Sequence, residues 1–170
     1  MKWLGLTIAM AMTAAAPAVQ AQTVEAVAAA EKAYKAALQK TPLTLPVALF
    51  VKETATGYGM YEARATNHFK VGEPLNFYVE PLGYKFKHNG DKTSFGVTMD
   101  LRITQNGRTL FSKDNFLNID LDSHHDNAEF NVNGSLNLTG AAAGNYELEL
   151  LVRDHASAET AHTKLPFTID

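Results

Sequence analysis

The chain reads GNYELELLVRD over residues 144–154 and TAHTKLPFTI over residues 160–169. In the first segment, large apolar side chains recur at every second position: Tyr146, Leu148, Leu150 and Val152. In an extended chain this period places them on one face and the charged side chains between them on the other, which predicts a half-buried strand. The second segment alternates in the same way after a short polar connection, so the two segments predict a β-hairpin.

A hairpin alone is only marginally stable in water, so further strands must pack against its apolar face. The strongest turn signal elsewhere is Asn106-Gly107, where both residues tolerate positive φ. Additional strands are expected near residues 43–52, 75–80, 97–104, 108–111, 115–121 and 130–138. About seven to nine short strands predict an antiparallel, immunoglobulin-like β-sandwich over residues 43–170, in a mainly β protein.

Residues 22–42 contain the strong helical signal of the sequence. They are rich in Ala, Glu, Lys and Gln, which favour helices, with Thr23 expected to cap the start and Thr41-Pro42 to end the helix. Apolar side chains recur three and four residues apart: Val24, Val27, Ala30, Tyr34 and Leu38. This stripe favours packing against the sandwich; packing on a partner or service as a semi-rigid spacer are the alternatives.

Residues 1–21 have the pattern of a secretory signal peptide. Lys2 supplies the basic start and residues 4–16 the apolar run, and cleavage is expected after Ala21. The run is short for a bilayer span and Pro17 interrupts it, so an uncleaved anchor is the less favoured alternative. The sequence contains no cysteine, which excludes disulfides and thiolate chemistry. We therefore expect a periplasmic or secreted protein without an integral membrane segment after cleavage.

The charge balance of the chain bears on the kind of partner. Its 170 residues include 15 Lys and Arg against 18 Asp and Glu. Cleavage after Ala21 would remove Lys2 and leave 14 basic and 18 acidic residues, a net charge of −4. This mild acidity disfavours nucleic acid and anionic membranes, because both attract basic surfaces.

The segment Gly144-Asn145-Tyr146, with the alternating strand that follows it, resembles the penultimate strand of immunoglobulin-like and fibronectin-type-III-like domains. There a tyrosine at the strand start bonds back to the preceding backbone, so the resemblance implies a structural role for Tyr146. Three other segments resemble small exported proteobacterial proteins: Leu49-Phe50-Val51-Lys52-Glu53, Gly72-Glu73-Pro74-Leu75 with Tyr78-Val79-Glu80-Pro81, and Leu165-Pro166-Phe167-Thr168-Ile169. The resemblance implies an immunoglobulin-like sandwich and a periplasmic or secreted location, and it implies no activity.

Several aromatic side chains fall in predicted loops or at outward strand positions. Tyr58, Tyr61 and Tyr84 are the preferred candidates for a binding surface, because aromatic faces bind peptides and sugars by stacking and burial. Phe86 and His88 lie close to Tyr84 in sequence and belong to the same candidate surface. For each aromatic residue taken alone, burial beneath a loop is the competing interpretation.

Residues 123–126, Ser-His-His-Asp, are the densest group of potential metal ligands. His124 and Asp126 could bind one ion, and His155 or His162 could join them if the hairpin lies nearby. Neighbouring side chains of an extended chain point to opposite sides, however, and no regular ligand spacing is present. Scattered imidazoles in a solvated loop are the competing interpretation.

The sequence lacks the familiar catalytic motifs. It contains no Gly-x-Ser-x-Gly, no His-Glu-x-x-His and no glycine-rich phosphate loop. Asp120, Asp122 and Asp126 could bind calcium around a predicted loop, but no glycine or regular oxygen-ligand spacing accompanies them. We therefore predict a protein that is not an enzyme and needs no cofactor; a hydrolase with a dispersed triad is an alternative.

These observations favour non-catalytic binding in the bacterial envelope. The partner would be a protein or peptide, met at an exposed strand edge or at the loops that carry Tyr58 and Tyr84. A metal or small-ligand carrier that uses the histidine-bearing loops is the alternative function.

Overall fold

The computed structural model describes residues 23–170, which form one α-helix and nine β-strands. These elements are α1 (Val24–Leu38), β1 (Thr44–Val51), β2 (His68–Phe69), β3 (Leu75–Leu82), β4 (Lys87–Asn89), β5 (Lys92–Gln105), β6 (Arg108–Ser123), β7 (Val132–Leu136), β8 (Gly144–Asp154) and β9 (Thr160–Ile169). The prediction of a mainly β protein with an N-terminal helix is confirmed. The predicted signal peptide lies outside the described residues, and within them no helix is long and apolar enough to cross a membrane.

The strands form two sheets. β1, β3 and β7 make a three-stranded antiparallel sheet with β3 in the centre. In the larger sheet β2, β9, β8 and β5 follow one another, and β5 pairs with β6 along almost its whole length. β4 pairs with the start of β5, and the short β2–β9 contact is parallel, whereas the other pairs are antiparallel.

The predicted alternation in β8 is confirmed. Its four large apolar side chains are buried, and the residues between them are half-buried. They join one core cluster that takes side chains from both sheets, including Phe77 and Val79 from β3 and Met99 and Leu101 from β5. Full burial of each such side chain stabilises the fold by about 1.5–3 kcal/mol, so this shared core holds the two sheets together.

Tyr146 makes the hydrogen bond that the resemblance implies. Its hydroxyl donates to the Ala142 carbonyl at 2.7 Å. Its ring stacks on Phe167, with the ring centroids 5.4 Å apart. The bond satisfies a buried phenol and fixes the turn that leads into β8, so Tyr146 has a structural role.

β1 differs from its predicted face pattern. The sequence predicts one apolar face for four of its residues: Leu45, Val47, Leu49 and Val51. The pairing of β1 with β3 shifts register between Thr44 and Val47. Leu45 therefore packs against the main core, whereas Val47 packs with Tyr78 in a second cluster on the other face of the sheet. A shift of one position moves every following side chain to the opposite face, which explains the difference.

α1 begins as predicted but does not pack as predicted. The Thr23 hydroxyl accepts a hydrogen bond from the Ala26 amide at 3.2 Å, which caps the first turn. The helix buries none of its residues, and Val24 is 81% exposed. The expected packing of its stripe against the sheets is therefore corrected: alanine-rich helices offer little apolar area for burial.

Candidate binding edge

β6 is the longest exposed strand edge in residues 23–170. It runs for 16 residues, pairs with β5 as its one described neighbour and exposes most of its side chains. The other edges are short or partly covered: β7 has 5 residues, β4 has 3, β2 covers the end of the 10-residue β9, and backbone bonds to residues 62–64 cover the end of β1. An exposed edge presents backbone groups with which another chain can pair, so β6 is the preferred candidate for a binding site.

An interruption divides β6 into two halves. Residues 114–116 stand opposite Asp100 alone in β5, so the ladder changes register there. Asn115 adopts a left-handed conformation with φ 51°, which asparagine tolerates better than most residues. The sequence predicts two separate strands here, and the structure instead shows one strand with a first half, Arg108–Lys113, and a second half, Leu117–Ser123.

Asp100 and Arg153 hold the interruption in place. The Asp100 carboxylate accepts hydrogen bonds from the Asn115 amide at 2.7 Å and from Arg153 Nη2 at 2.8 Å. Arg153 Nη2 also donates to Asn115 Oδ1 at 2.8 Å. Hydrogen bonding to Arg153 lowers the pKa of Asp100 below its usual value, and the same contact raises the pKa of Arg153.

The first half of β6 is irregular and lies beside an apolar groove. Its pairing with β5 shifts between Ile103 and Thr104, which leaves Leu110 without a partner in the ladder. Leu110 and Phe111 both line a groove of about 520 Å³ that residues 136–142 close on the other side. They remain 51% and 47% exposed. A bulge re-aims side chains, so this half presents apolar side chains rather than a regular pairing edge.

The second half pairs with β5 without interruption, and its free backbone groups can be assigned. The His155 amide donates to the Gly96 carbonyl at 3.1 Å, so the backbone groups of Gly96 face the β8 side. Backbone groups alternate in direction along a strand, so those of Val97 face β6 and pair with its partner Ile119. Three residues therefore direct their N–H and C=O groups to the open side: Asn118, Asp120 and Asp122.

The side chains of the second half form two rows of different chemistry. The inner row is apolar and comprises Leu117, Ile119 and Leu121. The outer row is polar and acidic and comprises Asn118, Asp120 and Asp122. Ser94 Oγ donates to Asp122 at 2.7 Å, while the Asp120 side chain lies 2.6 Å from His155 Nδ1 and remains 72% exposed. This half therefore combines a regular edge with an apolar row and an acidic row.

Thr98, His155 and Asp120 lie in the order of a hydrolase triad, and Asn118 belongs to the same hydrogen-bond network. His155 Nε2 is 2.7 Å from Thr98 Oγ1, and its Nδ1 contacts Asp120. Asn118 Nδ2 donates to Asp120 at 3.0 Å, which turns Asn118 Oδ1 towards the Thr98 hydroxyl at 2.8 Å. The Thr98 hydroxyl therefore lies within hydrogen-bond distance of both Asn118 Oδ1 and His155 Nε2. The network ties the turn after β8 to β6.

The predicted aromatic surface is corrected at Tyr84. This residue is 4% exposed and packs in the core with Phe86, Phe95 and Phe130. Its hydroxyl donates to the Asn127 carbonyl, and burial raises its pKa above the usual value. Burial beneath a loop, the competing interpretation, therefore holds for Tyr84, and Phe86 is half-buried against its ring.

Tyr58 and Tyr61 are half-buried in the segment between β1 and β2. The Tyr61 ring lies 4.4 Å from the ring of the buried Tyr78, centroid to centroid. The Tyr78 hydroxyl donates to Glu80 at 2.6 Å and accepts from the Gly59 amide at 2.7 Å. Burial is the main reason that the pKa of Tyr58 is raised, and the nearby Glu80 carboxylate raises it further. Tyr61 and its segment therefore cover the outer face of the three-stranded sheet.

The structure places the predicted metal ligands in separate hydrogen bonds. His124 Nδ1 lies 3.0 Å from the Asp91 carbonyl oxygen, whereas Asp126 Oδ1 lies 2.8 Å from Nε2 of the exposed His88. Residues 23–170 contain no group of three or more His, Asp or Glu side chains placed to hold one ion. Nothing in this part of the molecule therefore brings His124 and Asp126 to a common point.

The chain gives no match to a protein-family model, and none to a curated protein sequence. No activity or partner therefore transfers from a relative. The candidate site rests on the geometry of the second half of β6.

Proposed function

We propose that this protein is an exported, non-catalytic binding module of the bacterial envelope with an immunoglobulin-like β-sandwich. The strand orders β1-β3-β7 and β9-β8-β5-β6 support that arrangement, as does the hydrogen bond from Tyr146 to Ala142. The signal-peptide pattern of residues 1–21 supports export to the periplasm or beyond. The partner is a protein or peptide that contributes an extended segment.

The observation that carries the proposal is the regular, exposed second half of β6. A partner segment added there becomes the next strand of the larger sheet, because three residues of β6 direct N–H and C=O groups towards it. Each backbone hydrogen bond contributes about 1 kcal/mol net. The edge is already ordered by β5, so ordering the partner is the main cost, and a short segment should bind reversibly.

Two earlier alternatives receive less support. Binding by the Tyr58 and Tyr84 loops loses its central residue, because Tyr84 lies in the core. A metal carrier would need its imidazoles to converge, and His88, His124 and His155 instead contact Asp126, the backbone of Asp91 and Asp120 respectively.

A matched pair of variants tests the proposed strand addition. Asn118→Pro removes a backbone donor from the open side without removing one from the β5 ladder, and proline is compatible with an edge strand. Asn118→Ala removes the same side chain but keeps the N–H group. Tagged protein should recover a partner from periplasmic extract as wild type and as Asn118→Ala, and should lose it as Asn118→Pro. Equal recovery by all three forms, or repeated recovery of nothing, would contradict the proposal.

A further inference from the structure

We infer that the segment bound at the second half of β6 alternates basic and apolar side chains. This inference rests on the proposed strand addition and adds the chemistry of the partner. Side chains of paired strands that lie opposite each other share a face and interact directly. The two rows of β6 therefore select two kinds of side chain at successive positions of the partner.

The apolar row selects alternate apolar positions. Leu117 and Ile119 already pack on the core, while Leu121 is 40% exposed at the end of the row. An added strand would cover Leu121 and continue the apolar face of the sheet. A polar side chain at the facing position would be desolvated beside Leu121 without a hydrogen-bond partner, so an apolar one is favoured.

The acidic row selects basic positions between the apolar ones. A carboxylate accepts about four hydrogen bonds. Asp120 has two partners, His155 and Asn118, and Asp122 has one, Ser94. Both therefore retain acceptor capacity for a lysine or arginine that lies opposite. Residues two apart in the partner are spaced like Asp120 and Asp122, because both strands share the same rise per residue.

Other charged groups near this row do not reverse its sign. Lys87 lines the same cavity of about 210 Å³ as Asp120, Asp122 and His155, but its ammonium donates to the His155 carbonyl at 2.5 Å. Lys87 forms no ion pair with either aspartate within 4.0 Å among the described residues, and its one positive charge is outnumbered by the two carboxylates.

A second copy of the chain fits this edge less well than a basic peptide. Antiparallel pairing of two copies over this half would bring two Asp120 and two Asp122 side chains onto one face. Like charges that face each other across paired strands are destabilising. The acidic row therefore works against self-association and favours a basic partner.

Calorimetric titration with three heptapeptides tests the inference. The first is Thr-Lys-Val-Lys-Val-Lys-Thr, and in the other two glutamine or glutamate replaces every lysine. The lysine peptide should bind the wild-type protein about tenfold more tightly than the glutamine peptide, because two cross-strand ion pairs add to the same backbone bonds. The glutamate peptide should bind least. The double variant Asp120→Asn with Asp122→Asn should bind the lysine and glutamine peptides alike.

The outcomes separate the inference from the function beneath it. If the lysine and glutamine peptides bind the wild type equally, and Asn118→Pro abolishes both, strand addition stands and the preference for basic segments is overturned. If no peptide binds, or if Asn118→Pro binds the lysine peptide as well as wild type does, strand addition at β6 is overturned too. Analytical ultracentrifugation of the wild type and the double variant checks the effect of the acidic row on self-association. The double variant lacks the like charges and should self-associate at least as strongly as the wild type; weaker self-association would contradict that effect.

Discussion

The two halves of β6 pair with the same neighbour yet differ in backbone regularity. The second half keeps an unbroken ladder with β5 and repeats its side-chain chemistry every second residue. The first half contains an unpaired Leu110, ends at the interruption of residues 114–116 and exposes apolar side chains beside a groove. Bulges are a common means of protecting edge strands from unwanted pairing. The proposed strand addition therefore depends on the regular backbone of the second half and not on the total length of β6.

The largest expected loss of stability comes from disrupting the second half of β6 where its backbone lies against that of β5. A Cβ atom at Gly96 would lie 2.1 Å from the Ile119 carbonyl oxygen, so Gly96→Ala must push β6 away from β5. Such overpacking costs about 3 kcal/mol and should also abolish peptide binding. Thermal unfolding measures the loss. Ser94→Ala, two residues away on the same face, removes one exposed hydrogen bond and should change stability by less than about 1 kcal/mol. Equal effects of the two variants would show that β6 can move without cost.

A smaller loss of stability should follow from weakening the interruption at residues 114–116, which separates the two halves of β6. Asp100→Asn weakens the hydrogen bonds to Arg153 that hold the interruption, and should lower the free energy of unfolding by about 1.5 kcal/mol at pH 7. The figure is modest because the Arg153 side chain is 35% exposed and solvent screens the pair. Asp114→Asn, a neighbouring exposed change, serves as control and should stay within about 0.5 kcal/mol of wild type.

The pH dependence of the same pair has a defined sign. Because the folded-state pKa of Asp100 lies below its unfolded value of about 3.9, its contribution is complete above that value and is lost as pH falls through the folded pKa. The difference in the free energy of unfolding between wild type and Asp100→Asn should therefore be smaller at pH 2 than at pH 5. Urea denaturation at both pH values measures this difference, and a difference that grows on acidification would contradict the assigned role of Asp100.

The smallest effect is expected in the first half. Phe111→Ser changes a side chain that is already 47% exposed, so stability should fall by less than about 1 kcal/mol. Binding of the lysine peptide should remain within twofold of wild type, because the groove lies outside the regular edge. A tenfold loss of peptide binding in calorimetry would instead make the groove part of the binding site.

The sequence predicts the core strands well because their alternation is strict. Tyr146 to Val152 gives a clear period of two, and the structure buries the expected face. Thr23 is likewise predictable as a cap, since capping depends on neighbouring residues alone. Packing of α1 and burial of Tyr84 depend on residues distant in sequence, and neither follows from local pattern.

The proposed binding edge is visible in the sequence, but the local pattern wrongly divides it into two strands. Leu117, Ile119 and Leu121 alternate with polar residues, but the break near Asn115 suggests two strands, and Asp122 suggests a loop. Only the long-range bonds from Asp100 show that one strand continues through the break. Which edge stays open depends on sheet order, and sheet order is a property of the whole chain.

Residue-resolved amide hydrogen exchange, with and without the lysine peptide, shows directly whether a bound segment pairs with the second half of β6. Bound peptide should slow exchange at Asn118, Asp120 and Asp122, whose amides face the open side, and should leave Leu110 and Phe111 unchanged. Amides that already bond to β5, such as that of Ile119, should change less. Slowed exchange at Leu110 and Phe111, with Asn118, Asp120 and Asp122 unaffected by bound peptide, would show that the peptide does not pair with the second half of β6.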